Sequence, residues 1–258
     1  MTNVALSGWS GAGSTSVTLI LALALKRKYV YIGSVFRYIG EYLGYGDEGM
    51  SRIEADLLLE RQIGKLMDRY VDWVLMNDEN VILESDLSCF RIGKNKEVFS
   101  VFLEASLEDR SNRVMSDLRG DDAVSVLEAR DIVHKELYDE LWNVDFFDRD
   151  LIRQKYWYVV DNGKISLKQT VNRVLELMAG FEGLKDEYKW EELKLEIDGW
   201  VDIFEQEGKK GLRDRLEKMG LLWGQGLILK HLNELFEGEV EKLPLFVVEL
   251  IRREKFRL

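Results

Sequence analysis

Cysteine, proline and histidine are almost absent from this sequence: Cys89, Pro244, and His134 with His231 are all there is in 258 residues. A single thiol excludes an internal disulfide framework and fits a reducing compartment. Neither histidine has metal-ligand spacing around it, so both are assigned structural roles, and Cys89 is expected to be an inert thiol. One proline suits a helix-rich chain with few rigid turns. Cations are also in deficit, 36 Lys and Arg against 47 Asp and Glu, a net charge of −11. That balance lacks the basic footprint of a nucleic-acid-binding protein. No apolar run reaches bilayer length and no signal-like segment opens the chain, so we expect a cytoplasmic protein without a membrane partner. What is plentiful is core material: 46% apolar and 11% aromatic residues exclude disorder.

A further absence sits at one position. The apolar run Val4-Ala5-Leu6 leads into the turn Gly8-Trp9-Ser10-Gly11-Ala12-Gly13, and an apolar helix pattern follows. Strand, glycine loop and helix in that order are the setting of a phosphate-binding loop. Gly8, Gly11 and Gly13 let the backbone approach an anion closely, and the helix start adds its positive dipole end. The pattern G-x-x-x-x-G-K-[ST] is met at Gly8, Gly13 and Thr15, with the Thr15 hydroxyl at the Mg²⁺-ligating position. The lysine position holds Ser14. Serine offers the β- and γ-phosphates a hydrogen bond but no charge, and positioned charge is most of what phosphoryl transfer needs. The candidate ATP and Mg²⁺ site is therefore Gly8, Gly11, Ala12, Gly13, Ser14 and Thr15.

Downstream, β-prone runs at Tyr29–Ile32, Val81–Leu83, Val98–Leu103 and Tyr156–Val160 alternate with helical stretches. Helices are expected at about 15–28, 35–44, 47–76, 106–119 and 123–141, and from a Ser166 cap to about Met178. The alternation predicts an α/β fold with a parallel sheet and helices on both faces. Glu84-Ser85-Asp86 leaves the third strand where such folds place metal-side or substrate-side groups. From about Gly180 the chain turns rich in Glu, Lys and Leu. Three to five amphipathic helices are expected there, broken at Gly199, Gly208–Gly211, Gly220, Gly224–Gly226 and Gly238, the last of them at 245–256 after Pro244. The expected organisation is a P-loop domain at 1–179 and an all-α extension at 180–258, the latter open to a protein partner or self-association.

Together these segments resemble the cytidylate kinase family of P-loop nucleoside monophosphate kinases, over roughly Val4 to Met178. The likeness rests on the loop Gly8–Thr15, on Gly33-Ser34-Val35-Phe36-Arg37, on Glu60-Arg61-Gln62, on Val81-Ile82-Leu83-Glu84, on Leu107 to Tyr138 with its arginines, and on Tyr158-Val159-Val160-Asp161 followed by Ser166. The resemblance implies a five-stranded parallel sheet with a helical lid, binding ATP and Mg²⁺. It implies that Arg37 holds the acceptor monophosphate with Ser34, Glu84 and Asp86 on the same side. It also implies that Arg113, Arg119 and Arg130 act catalytically, closing over the transferred phosphoryl group. Bidentate guanidinium groups suit that task, since two polyanions must be held together.

Three positions depart from the family pattern by lacking a cation: Ser14, Asp86 and Glu136. Arg91, Lys94 or Lys26 are candidate replacements, as is the cluster Lys209, Lys210 and Arg213 in the C-terminal region. Two readings stay open: a nucleotide-dependent phosphotransferase acting on CMP, dCMP or another monophosphate, and a non-catalytic descendant working through its C-terminal helices. A plain α/β domain without a nucleotide is the third.

Overall fold

The structure, a computed structural model, describes residues 2–34, 57–118, 123–223 and 225–235. Strand β1, Asn3–Gly8, is buried at all six positions and runs down the middle of the sheet. Around it lie β2 (Lys28–Tyr31), β3 (Val81–Glu84), β4 (Val98–Glu104) and β5 (Tyr158–Asp161), in the order β2-β3-β1-β4-β5. Every pairing is parallel, with Val4 opposite Ile82 on one side and Phe99 on the other. A parallel sheet needs helical crossovers that cover both faces, which is why its strands read as continuous apolar runs.

Strand periodicity sorts the core. Val4, Leu6, Ile82, Phe99, Val101 and Leu103 face α1 (Ser14–Leu25), α6 (Leu167–Ala179) and α7 (Trp190–Lys218). Ala5, Val81, Leu83, Val98 and Phe102 point the other way, toward α2 (Leu57–Asn77), α5 (Arg149–Lys155) and α8 (Gln225–Leu235). α3 (Leu107–Leu118) and α4 (Ala123–Trp142) pack against each other beside the sheet's C-terminal edge. The α/β architecture with helices on both faces is as expected.

Local differences have local causes. α5 was not expected; Asp148 caps it, accepting from the N–H groups of Asp150 and Leu151, and Tyr156 ends it, so β5 begins two residues later than predicted. Ser166 caps α6 as expected, in a reciprocal capping box with Gln169. The expected break at Gly199 is absent: α7 continues through it because Leu193, Ile197 and Val201 are buried on one side, outweighing the ~1 kcal/mol propensity deficit of glycine. α7 does bend at Gly208, at φ 66 and ψ −164, a conformation essentially reserved for glycine. The helices expected at 35–44 and 245–256, and the break at Gly238, lie outside the described residues.

The segment after Gly180 completes the core. Leu193, Ile197, Val201, Leu212 and Leu216 share one apolar cluster with Val17, Leu21 and Leu25 of α1. After α7 the chain reaches the free edge of β2. Tyr29 N–H donates to the Leu221 carbonyl at 2.7 Å, Trp223 N–H donates to the Tyr29 carbonyl at 3.2 Å, and Leu222 forms a parallel bridge with Tyr29. An edge strand is thereby covered. Arg27, fully buried, donates to Glu187 (2.5 Å), to the Tyr188 hydroxyl (2.8 Å) and to the Thr2 carbonyl (2.5 Å).

Candidate nucleotide site

The glycine loop is built by the close approach of β1 to β4. A Cβ on Gly8 would sit 2.8 Å from the Leu103 carbonyl oxygen, so only glycine fits without a backbone shift. Gly11 (φ 81) and Gly13 (φ 90) hold the left-handed turns that bring the chain round to the start of α1. The first N–H groups of α1 have no acceptor within the helix, which is what makes such a helix start an anion site. Outer contacts fix the curve. The Ala12 carbonyl accepts from Asn162 Nδ2 (2.7 Å) and from Arg113 Nη1 (3.1 Å), while Arg110 donates to the Ser10 carbonyl (2.9 Å) and bidentately to Asp131.

Below the loop, at the tip of β3, Glu84 is the convergence point of three hydroxyls. Thr15 Oγ1 donates to its Oε1 at 2.5 Å, Ser14 Oγ donates to the same oxygen at 3.2 Å, and the Tyr29 hydroxyl donates to Oε2 at 2.6 Å. Burial raises the Glu84 carboxyl above its ordinary range, against the opposing pull of these hydrogen bonds. Burial, with Glu84 beside it, likewise raises the Tyr29 phenol. The Thr15 hydroxyl and the Glu84 carboxylate are hard oxygen donors, the type Mg²⁺ takes when phosphates and water complete its shell. Among the described residues no three His, Cys, Asp or Glu side chains cluster into a metal cage.

Two cavities flank the loop. One, of about 190 Å³, lies between β3, α2 and α4, and takes in Ser14, Thr15, Asp68, Glu84, Asp86 and Arg130. The other, of about 340 Å³, lies on the α6 and α7 side and is lined by Gly13, Ser14, Thr15, Arg113, Asn162 and Lys209 among others. Ser14 and Thr15 belong to both.

In the first cavity, Asp68 accepts from Trp142 Nε1 at 2.9 Å, and burial raises its carboxyl from 3.8 to about 7. Between those two values the folded chain keeps a proton that the unfolded chain releases, so stability falls as pH rises from about 4 to 7. Asp68→Asn retains the acceptor for Trp142 and removes the charge. It is expected to flatten that slope and to gain about 1–2 kcal/mol at pH 8, read from urea unfolding at pH 5 and pH 8. A variant that keeps the wild-type slope would show that Asp68 titrates normally.

The remaining expected site residues fall as follows. Arg113 is turned to the backbone: besides Ala12 it donates to Asn162 Oδ1 (3.2 Å), to the Asn162 carbonyl and to the Gly163 carbonyl (3.2 Å). Burial lowers its pKa. Arg130 lines the first cavity, and Asp86, half exposed, lies 3.8 Å from His134 Nε2. Ser34 donates to the Tyr31 carbonyl at 2.6 Å. Arg37 and Arg119 lie outside the described residues. Of the candidate replacement cations, Arg91 is ion-paired with Asp72 at 3.0 Å and lies over the Trp142 ring. Lys94 lies over Trp157, and Lys26 caps the far end of α1, some 18 Å from the loop by helix rise. Cys89 is buried, its thiol pushed up to about 12, as an inert thiol should be.

Reading the sequence missed Asn162, Arg110, Tyr29 and Asp68, while His134 packs against Tyr138 and Phe146 in the structural role expected of it. Arg110 lies one helical turn before Arg113, so the spacing carried a signal. His134 looked isolated because its neighbours Asp86 and Phe146 come from distant segments.

No protein-family model matches the chain. It is 22% identical over 178 residues to the cytidylate kinase of Saccharolobus islandicus (strain L.S.2.15 / Lassen #1), covering 68% of this chain and 90% of that one. This likeness supports a distant relationship to the P-loop nucleoside monophosphate kinases. A further match, 27% identical over 149 residues, is the cytidylate kinase of Sulfurisphaera tokodaii, with 56% of this chain and 79% of that one covered. Among solved structures, an uncharacterized protein from Eubacterium ventriosum ATCC 27560 shares the fold at TM-score 0.50 and 12% identity, over 69% of this chain and 98% of that one. The chain is thus nucleotide kinase-like.

Proposed function

We propose that this chain binds Mg–ATP at Gly8–Thr15 and transfers the γ-phosphoryl group to a nucleoside monophosphate seated in the 190 Å³ cavity. The observation that carries the reading is the junction at Thr15. Its hydroxyl bonds the Glu84 carboxylate at the mouth of a glycine loop, where two cavities meet as donor and acceptor sites of an in-line transfer must. Bound Mg²⁺ would be held by Thr15 and Glu84 with the phosphates, and would neutralise phosphate charge.

In the transfer, the bond from the β,γ-bridging oxygen to the γ-phosphorus breaks as an acceptor phosphate oxygen bonds that phosphorus, giving ADP and a nucleoside diphosphate. The acceptor oxygen is already largely ionised at pH 7, with a second phosphate pKa near 6, so no general base is required. Gly11, Ala12 and Gly13 hold the donor phosphates, with Arg113 and Asn162 keeping the loop's shape. Arg37 holds the acceptor phosphate with Ser34, and Arg130 acts with Arg119 on the transferred phosphoryl group. Asp68 and Asp86 accept from the donor groups of the sugar or base.

A specific observation favours the second reading, binding without transfer: the acceptor cavity carries the carboxylates of Asp68, Glu84 and Asp86 beside Arg130, an unwelcoming field for a phosphate dianion. A coupled ADP-release assay with Mg–ATP and CMP, dCMP, UMP or AMP decides between them. Turnover with one pyrimidine monophosphate is expected. ATP binding without ADP release from any acceptor would leave a nucleotide-binding relic.

A further inference from the structure

The geometry points to Lys209 as the cation that replaces the absent loop lysine, supplied in cis by the C-terminal helical segment; this rests on reading Gly8–Thr15 as an ATP site. Lys209 lines the same cavity as Gly13, Ser14 and Thr15. Arg113, on the same cavity, donates to the carbonyls of Ala12, Asn162 and Gly163 and so shapes the loop.

Its position is fixed by packing. The left-handed bend at Gly208 redirects α7 immediately before Lys209, and the helix that resumes buries Leu212 and Leu216 in the cluster that holds α1. Arg215 grips Glu207 bidentately across the bend, at 2.6 and 2.8 Å. One turn after Lys209, on the same helix face, the Arg213 guanidinium lies 5.4 Å from the centre of the Tyr31 ring. Tyr31 itself borders the first cavity. The segment thus sets Lys209 on the cavity at the start of α1, where the sequence motif leaves a charge deficit at Ser14, and Arg213 against Tyr31, which borders the other cavity. An ammonium on a flexible four-carbon stem suits this role, since it binds phosphate as a point charge without the fixed fork geometry a guanidinium needs.

The test uses the full-length chain, calorimetric titration with Mg–ATP, inorganic tripolyphosphate and adenosine, and mass-spectrometric mapping of amine acylation with and without Mg–ATP. Lys209→Met is expected to weaken Mg–ATP and tripolyphosphate at least tenfold while leaving adenosine unchanged. Ser14→Lys added to it is expected to recover most of the loss. Lys218→Met, which removes an exposed charge from the same helix, is expected to bind as wild type. Mapping needs no variant: Mg–ATP should protect Lys209 from acylation and leave Lys218 reactive. Unchanged ATP affinity in a folded Lys209→Met protein, or an unprotected Lys209 in the ATP-bound wild type, overturns the assignment alone. A wild type that binds neither Mg–ATP nor tripolyphosphate overturns the ATP-site reading beneath it.

Discussion

Replacing Arg27 by methionine is expected to remove about 3–5 kcal/mol of stability, the largest effect of any single substitution considered for this fold. The side chain is fully buried and ion-paired with Glu187 at 2.5 Å. Methionine approximates its volume, so the loss comes from stranding the Glu187 carboxylate and the Thr2 carbonyl in a partly desolvated site. Because Glu187 and Tyr188 precede α7, the same change should loosen the C-terminal segment from α1. Urea unfolding measures the first effect, and hydrogen exchange along 190–218 the second. A loss under 1 kcal/mol would mean that the apolar contacts of α7 alone hold the segment in place.

Glu84→Gln should move function and stability in opposite directions. Burial already disfavours the Glu84 charge, and glutamine keeps an oxygen to accept from Thr15 and Ser14 while offering N–H groups toward the Tyr29 hydroxyl. Folding stability is therefore expected to hold or rise by up to ~1 kcal/mol. Mg–ATP affinity should fall about 10–100-fold, the range for losing a ligand or outer partner at a metal site. Metal-free ATP should bind both proteins alike. Equal losses with and without Mg²⁺ would place Glu84 outside the metal's reach and make it a support for the loop only.

The sheet was legible because parallel strands are buried on both faces: Val4-Ala5-Leu6 and Val98 to Leu103 leave no alternative to a central strand. The loop was legible because each of its glycines answers a distinct constraint, Gly8 a contact with Leu103 and Gly11 and Gly13 a positive φ. The continuation of α7 past Gly199 was not, since glycine's local propensity gives no notice of the apolar contacts that override it. Nor was Asp68, whose environment depends on Trp142, 74 residues away. The reach of Lys209 was visible only as a deficit at Ser14 and a cluster 195 residues later. The bend at Gly208 that joins them is tertiary information.

The most direct test of the account is calorimetric titration of the wild-type chain and of Thr15→Ala with ATP, each with and without Mg²⁺. We expect one ATP bound per wild-type chain, tighter with Mg²⁺, and a Mg²⁺ dependence largely lost in Thr15→Ala. Absence of ATP binding to the folded wild-type chain, or an affinity indifferent to both Mg²⁺ and Thr15, would contradict the account and leave the glycine loop as a structural turn.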